Sequence, residues 1–297
     1  MFLSNDSIQM KHAFLIMAHN EFPLLRLLVS CIDDTRNDIY IHIDRKVTRL
    51  PELHAERAGL HILENRVDVH WGDLSVVEAE YALFEEAVAH GPYLYYHLLS
   101  GVDLPIKSQD YIHSFFDVHA GKEFIGYTLT EITPEVVRKV MRWHLFPEDF
   151  KNQSIIKRVI RAIWIRLQEW FGFYRNVGVE FKKGSQWISV TDGMARFFLS
   201  RRKWVETVFT HTFCSDELVM QTLCWLSPFR KNIYNTETDG DGCLRAIGWR
   251  NGCLFDWGPN DLVYLKESKA LFARKFNTKD MLFLSSIISL SKTSSDD

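Results

Sequence analysis

Three short apolar runs in the first third of the chain each stop on polar side chains. This repetition limits what the chain can fold into more than any other feature. Ala13-Phe14-Leu15-Ile16-Met17-Ala18 opens onto His19 and Asn20. Asp38-Ile39-Tyr40-Ile41-His42-Ile43 ends in Asp44, Arg45 and Lys46. Tyr95-Tyr96-His97-Leu98-Leu99-Ser100 halts at Gly101, just before Asp103 and a turn closed by Pro105. Short apolar runs bounded by turn residues suit buried strands. Between the first two, Phe22-Pro23-Leu24-Leu25-Arg26-Leu27-Leu28 spaces its apolar positions for a helix with Pro23 in the first turn. Strand, helix, strand at this spacing predicts a βαβ unit and a parallel sheet. In open α/β sheets, ligands bind beyond the carboxyl ends of the strands. His19, Asn20, Asp44, Arg45 and Asp103 are therefore candidates for one site. Any one of them alone reads equally well as an ordinary polar cap.

Composition narrows the class. A chain of 297 residues with 46% hydrophobic side chains can bury a full core, as one large domain or two small ones. A net charge of −3 lacks the basic excess of a nucleic-acid protein, so no nucleic-acid partner is expected. No apolar run reaches bilayer length, and Met1-Phe2-Leu3-Ser4-Asn5-Asp6 has no basic-then-apolar signal pattern. The five cysteines, Cys31, Cys214, Cys224, Cys243 and Cys253, are scattered, odd in number and without zinc spacing. These features point to a reducing, cytoplasmic setting.

A helix-rich stretch runs from Glu131 to Tyr174. Within it, over 154–171, Ile156, Val159, Ile160, Ile163, Leu167 and Trp170 share one helical face, while Lys157, Arg158, Arg161 and Arg166 decorate the rest. The simpler reading packs that face on the protein's own core or on a partner subunit. The other is a basic amphipathic helix in peripheral contact with an anionic membrane, on its inner face.

Further pieces fall in order along the chain: Val69-His70-Trp71-Gly72, Ser100-Gly101-Val102-Asp103-Leu104-Pro105-Ile106-Lys107, Lys183-Gly184-Ser185-Gln186-Trp187, Asp216-Glu217 and Phe272-Ala273-Arg274-Lys275-Phe276. With Ile16-Met17-Ala18-His19-Asn20 and Ile41-His42-Ile43-Asp44-Arg45-Lys46, this ordered set resembles the core-2/I-branching β-1,6-N-acetylglucosaminyltransferase family, which also contains the peptide O-xylosyltransferases. The resemblance spans about Lys11 to Asn277. It implies an α/β fold of the glycosyltransferase-A type, with a Rossmann-like, mostly parallel central sheet flanked by helices. Animal members carry a membrane anchor and structural disulfides; neither is evident here, so the chain resembles a bacterial-type member. The expected organisation is an N-terminal extension over 1–10 and a single domain over 11–277. That domain divides into a nucleotide-sugar-binding half (11–130), a helical insert (131–180) and a catalytic and acceptor half (181–277). A C-terminal tail over 278–297 follows.

The chemistry implied is transfer of a sugar from a UDP-sugar to a hydroxyl of a glycan acceptor, with inversion and without a metal or other cofactor. A hydroxyl needs a carboxylate to take its proton, and the departing diphosphate needs cations aimed at it. Many transferases of this fold hold a metal through Asp-x-Asp, but the strand end here offers Asp103 alone. Asp239-Gly240-Asp241 spells that motif within a turn-rich run that reads as ordinary loop. The resemblance carries the base to Glu217, which otherwise reads as an acid at a helix start capped by Ser215. Xylosyltransferases place an important Asp where this chain has Gln186, which shifts the expectation toward Glu217. The resemblance implies diphosphate binding by Lys275 with Arg274, and a donor pocket lined by His19, Asp44 and Asp103. A second cation upstream aligns with neither Arg245 nor Arg250 cleanly; both are acceptor-side candidates beside Trp249. Trp257 could also stack on a sugar, and Trp71 reads as either cleft or core. The favoured donor is UDP-N-acetylglucosamine, with UDP-xylose as alternative and a cell-surface or capsular glycan as acceptor. A non-catalytic carbohydrate- or nucleotide-binding module is the other class of reading. A metal-dependent hydrolase lacks a clustered ligand set.

Overall fold

The computed structural model describes residues 10–128, 133–151, 154–250 and 252–292. Nearly all of the N-terminal extension expected over 1–10, and the first two residues of the expected helix-rich stretch, lie outside those residues. In chain order, β1 (His12–Ala18), α1 (Phe22–Cys31), β2 (Asn37–Ile43) and β3 (Gly59–Ile62) lead to α2 (Ser75–His90). Then come β4 (Tyr95–Ser100), β5 (Leu104–Pro105) and α3 (Gln109–Val118), followed by α4 (Pro134–Val140) and α5 (Ile155–Trp170). The C-terminal half holds β6 (Ser189–Thr191), α6 (Asp192–Ser200), α7 (Arg202–Phe209), α8 (Val219–Trp225) and α9 (Asp239–Cys243). It closes with β7 (Arg245–Ile247), β8 (Trp249–Arg250), β9 (Cys253–Leu254), α10 (Leu262–Glu267), β10 (Phe272–Arg274) and α11 (Met281–Leu290).

The central sheet has the order β3-β2-β1-β4-β6, parallel throughout except for the antiparallel edge strand β6. This is the α/β architecture expected from the apolar runs, with helices on both faces. Alternation along β1 sends Ala13 and Leu15 into one core, with α2 and α6, and Phe14 and Ile16 into the other, with α1 and α3. Register aligns the strand ends. Ala18 pairs with Ile43, and Met17 with Ser100, so the loops bearing His19, Asp44 and Asp103 leave one edge of the sheet. Asp44 N donates to Ala18 O at 2.9 Å and Gly101 N to Met17 O at 2.8 Å, which ties those loops together.

A second small sheet, β5-β10-β7, packs against the same edge. It brings Arg274 beside the turn after β4, and Phe276 N donates to Val102 O at 2.9 Å. Two local expectations are corrected and a third is refined. The Asn235–Gly242 run is not all loop, because Thr238 caps α9 by accepting from Asp241 N. Within the C-terminal tail expected over 278–297, the described residues include a helix, α11, which buries Phe283, Leu284 and Ile287 in the second core. Helix α5 does not pack its apolar face on the protein's own core: only Ile165 and Gln168 are buried along it.

The strip Lys183–Trp187 threads through the tightest packing near the site. A Cβ on Gly184 would lie 1.9 Å from Gly126 O, closer than any non-bonded atoms approach. Gly184→Ala is therefore expected to lower unfolding stability by about 2 kcal/mol or more, read as a shift in urea midpoint. A midpoint matching the native chain would show that this approach is not as close as described.

Candidate functional site

Asp103 follows the parallel strand β4 and turns back on it. Its carboxylate is buried and accepts from Ser100 N at 2.9 Å and from Ser100 Oγ at 2.6 Å. Arg274 Nε stands 3.9 Å from Asp103 Oδ1, and the guanidinium lies 4.1 Å over the ring of Trp187. Arg274 Nε and Nη1 are buried and have no hydrogen-bond partner among the described residues. Burial lowers the pKa of Arg274, with Asp103 opposing the shift. A guanidinium desolvated in this way, with donors to spare, has the chemistry to take an anion through two parallel bonds. Lys275 follows directly, half-exposed, with Nζ 3.3 Å from Asp256 Oδ1.

Glu217 sits on the other side of the Lys183–Trp187 strip. Ser215 does not cap a helix there. Cys214 is left-handed at φ 52°, Ser215–Glu217 forms a 3-10 turn, and α8 starts only at Val219. Glu217 is thus displaced from the helix start and partly exposed, with Lys183 Nζ 3.4 Å from its carboxylate. Gly184 N donates to Glu217 O at 3.0 Å, and Gln221 Nε2 to Ser185 O at 2.6 Å. Gly184 and Trp187 are three residues apart, so their Cα atoms lie within about 11 Å. Glu217 and Arg274 therefore each contact the same short strip, Glu217 through its backbone oxygen and Arg274 through the Trp187 ring.

Two acids belong with Glu217: Asp216, its neighbour in the Asp216-Glu217 motif, and Glu80, which the sequence did not single out. Glu80 on α2 is buried and accepts from Gln186 Nε2 at 2.7 Å. Burial pushes Glu80 well above the usual carboxylate range, the Gln186 bond opposes this, and Asp216 adds to it. Asp216 is pushed up to about 7 by burial and then by the charge of Glu217. The available signal was an acid at position 80 on the otherwise apolar inner face of α2, between Val76, Val77, Leu83 and Phe84.

The remaining candidates divide. His19 is exposed beside Asp44; desolvation lowers its pKa, Asp44 raises it, and Lys151 and Lys46 lower it further. Asp44 is buried and held by its own loop, accepting from Lys46 N at 2.9 Å with Lys46 Nζ 3.2 Å away. Trp249 and Arg250 are exposed on the β8–β9 hairpin, Arg250 lying 4.4 Å over Phe255. Trp71 is exposed and edge-on to Phe213, and Gly72 O accepts from Cys214 N, so this tryptophan stands beside the turn bearing Glu217.

Two candidates are corrected. Arg245 is not on an acceptor surface: it is buried, and its guanidinium donates to Cys243 O, Ile188 O and Ser189 Oγ. Trp257 is a core residue stacked on Tyr264. Asp239 and Asp241 are engaged by Ser185 N and by Thr238, respectively. Among the described residues, no three His, Cys, Asp or Glu side chains cluster for a metal.

The raised pKa of Asp216 has a fixed sign. Between the ordinary value of 3.8 and about 7, the folded chain keeps a proton that the unfolded chain loses, so stability falls as pH rises across that window. Asp216→Asn is expected to flatten that fall, gaining on the native chain in urea midpoint at about pH 8 relative to about pH 5. Parallel profiles for the two proteins would rule out an elevated Asp216.

Comparison with curated proteins finds no match. A family model described as Core-2/I-Branching enzyme matches residues 12–263, which takes in the whole central sheet, Asp103, the Lys183–Trp187 strip and Glu217. On that match the chain belongs to the Core-2/I-Branching enzyme family, a family of glycosyltransferases that act between a sugar donor and a glycan acceptor.

Proposed function

We propose that this protein is an inverting, metal-independent transferase that moves N-acetylglucosamine from its UDP-sugar to a hydroxyl of a glycan. The observation that carries the reading is Arg274, a buried guanidinium with unpaired donors at the carboxyl edge of the sheet, followed directly by Lys275. A diphosphate offers the paired anionic oxygens those donors lack, and cations fixed in advance stabilise it as it leaves. Metal independence is supported by Asp103: both its oxygens are already engaged by Ser100, and it faces Arg274 across the site.

Glu217 is the general base. The acceptor oxygen attacks the anomeric carbon from the face opposite UDP, its proton passes to the Glu217 carboxylate, and the carbon–oxygen bond to the β-phosphate breaks with its electron pair leaving on UDP. His19 and Asp44 border the donor, and Trp249 with Arg250 receive the acceptor. The donor identity is supported by Gln186, which is bonded to Glu80 and cannot serve as a base, leaving that role to Glu217.

Glu217→Gln is expected to cut turnover at least about a hundredfold while UDP affinity is preserved, measured by product formation and by UDP titration calorimetry. Lys275→Ala is expected to weaken UDP binding by about tenfold. Unchanged turnover in the first variant, or unchanged UDP affinity in the second, would remove that residue from its role. A panel of UDP-sugars tests the donor; preferential turnover of UDP-xylose would replace N-acetylglucosamine.

A further inference from the structure

Helix α5 is amphipathic in the reverse of the usual sense. Its polar face turns inward: Trp164 Nε1 and Gln168 Nε2 each donate to Trp143 O at 2.9 Å, and Trp143 N donates to Gln168 Oε1 at 2.8 Å. Arg161 donates to Leu145 O and Phe146 O, both at 3.1 Å, and its guanidinium lies 4.1 Å over Phe150. Lys157 pairs with Asp149. The opposite face carries Ile156, Val159, Ile160, Ile163, Leu167 and Trp170, each between 36% and 80% exposed. At 100° per residue these six occupy an arc of about 100°. The exposed surface continues past the helix through Phe171, Phe173 and Tyr174.

We propose that this face seats on an anionic lipid bilayer as a peripheral contact. An apolar stripe of this extent is rare on a protein surface that faces only water. Its surroundings select the occupant. With Lys157 and Arg161 engaged on the inward face, the helix still exposes two cations, Arg158 and Arg166, against a single carboxylate, Glu169, in a chain whose net charge is −3. Arg166 is exposed at one edge of the stripe, where anionic headgroups would compete with Glu169, 3.6 Å away, for its guanidinium. Trp170 and Tyr174 supply the amphipathic rings favoured at a membrane–water interface. No described helix is long and apolar enough to cross a membrane, so the contact is lateral, with the helix lying in the interface.

The test is co-sedimentation of the full chain with phosphatidylcholine vesicles containing about 30% phosphatidylglycerol, and with pure phosphatidylcholine vesicles. Ile163→Glu and, separately, Arg166→Glu change exposed positions, and unchanged melting temperatures would confirm intact folds. The native chain is expected to pellet with the anionic vesicles, and each variant to lose about tenfold or more in partitioning. Native protein left in the supernatant, equal pelleting with pure phosphatidylcholine, or full retention by folded Ile163→Glu would each overturn the proposal. A concentration-dependent dimer abolished by Ile163→Glu, with no vesicle binding, would assign the face to a second copy instead.

Discussion

The opposition of Asp103 and Arg274 is the constraint on which the rest of the site depends. Asp103 is turned back onto Ser100 at the end of a parallel strand, and Arg274 is brought to it from the last strand of a different sheet. A lone buried guanidinium would cost several kcal/mol in desolvation. The carboxylate at 3.9 Å and the Trp187 face at 4.1 Å offset part of that cost without using up the hydrogen-bond donors. What remains is a cation held rigidly with part of its bonding capacity unspent. Rigid placement and spare donors together suit charge that appears only during a reaction.

The other half of the candidate site is built from acids instead of cations. Burial pushes Glu80 upward with Asp216 adding to it, and burial pushes Asp216 upward with the charge of Glu217 adding to it. Glu217 itself is partly exposed beside Lys183. The strip from Lys183 to Trp187 joins the halves, touching Glu217 through Gly184 and Arg274 through Trp187.

The central sheet was legible because buried parallel strands are written as uninterrupted apolar runs, as in Ala13–Ala18 and Tyr95–Ser100. The second sheet was not, since β5, β7 and β10 are two or three residues long and carry no period. Asp103, Glu217, Arg274 and Lys275 could be singled out from ordered motifs, although the sequence pattern suggests a capped helix start where Glu217 lies in a 3-10 turn. Arg245 misled because its partners are mostly backbone carbonyls, which no side-chain pattern reveals. Glu80 stayed hidden because its partner, Gln186, is 106 positions away. The stripe on α5 was readable as a stripe, but periodicity says which residues share a face and not which way that face points.

The most direct test of the diphosphate-receptor role of Arg274 is calorimetric titration of UDP and UMP in the presence of EDTA. The β-phosphate is the group that Arg274 and Lys275 would hold, so UDP is expected to bind at least about tenfold more tightly than UMP without any divalent ion. Equal affinities for UDP and UMP, or UDP binding that appears only when manganese is added, would contradict a receptor built from these two side chains.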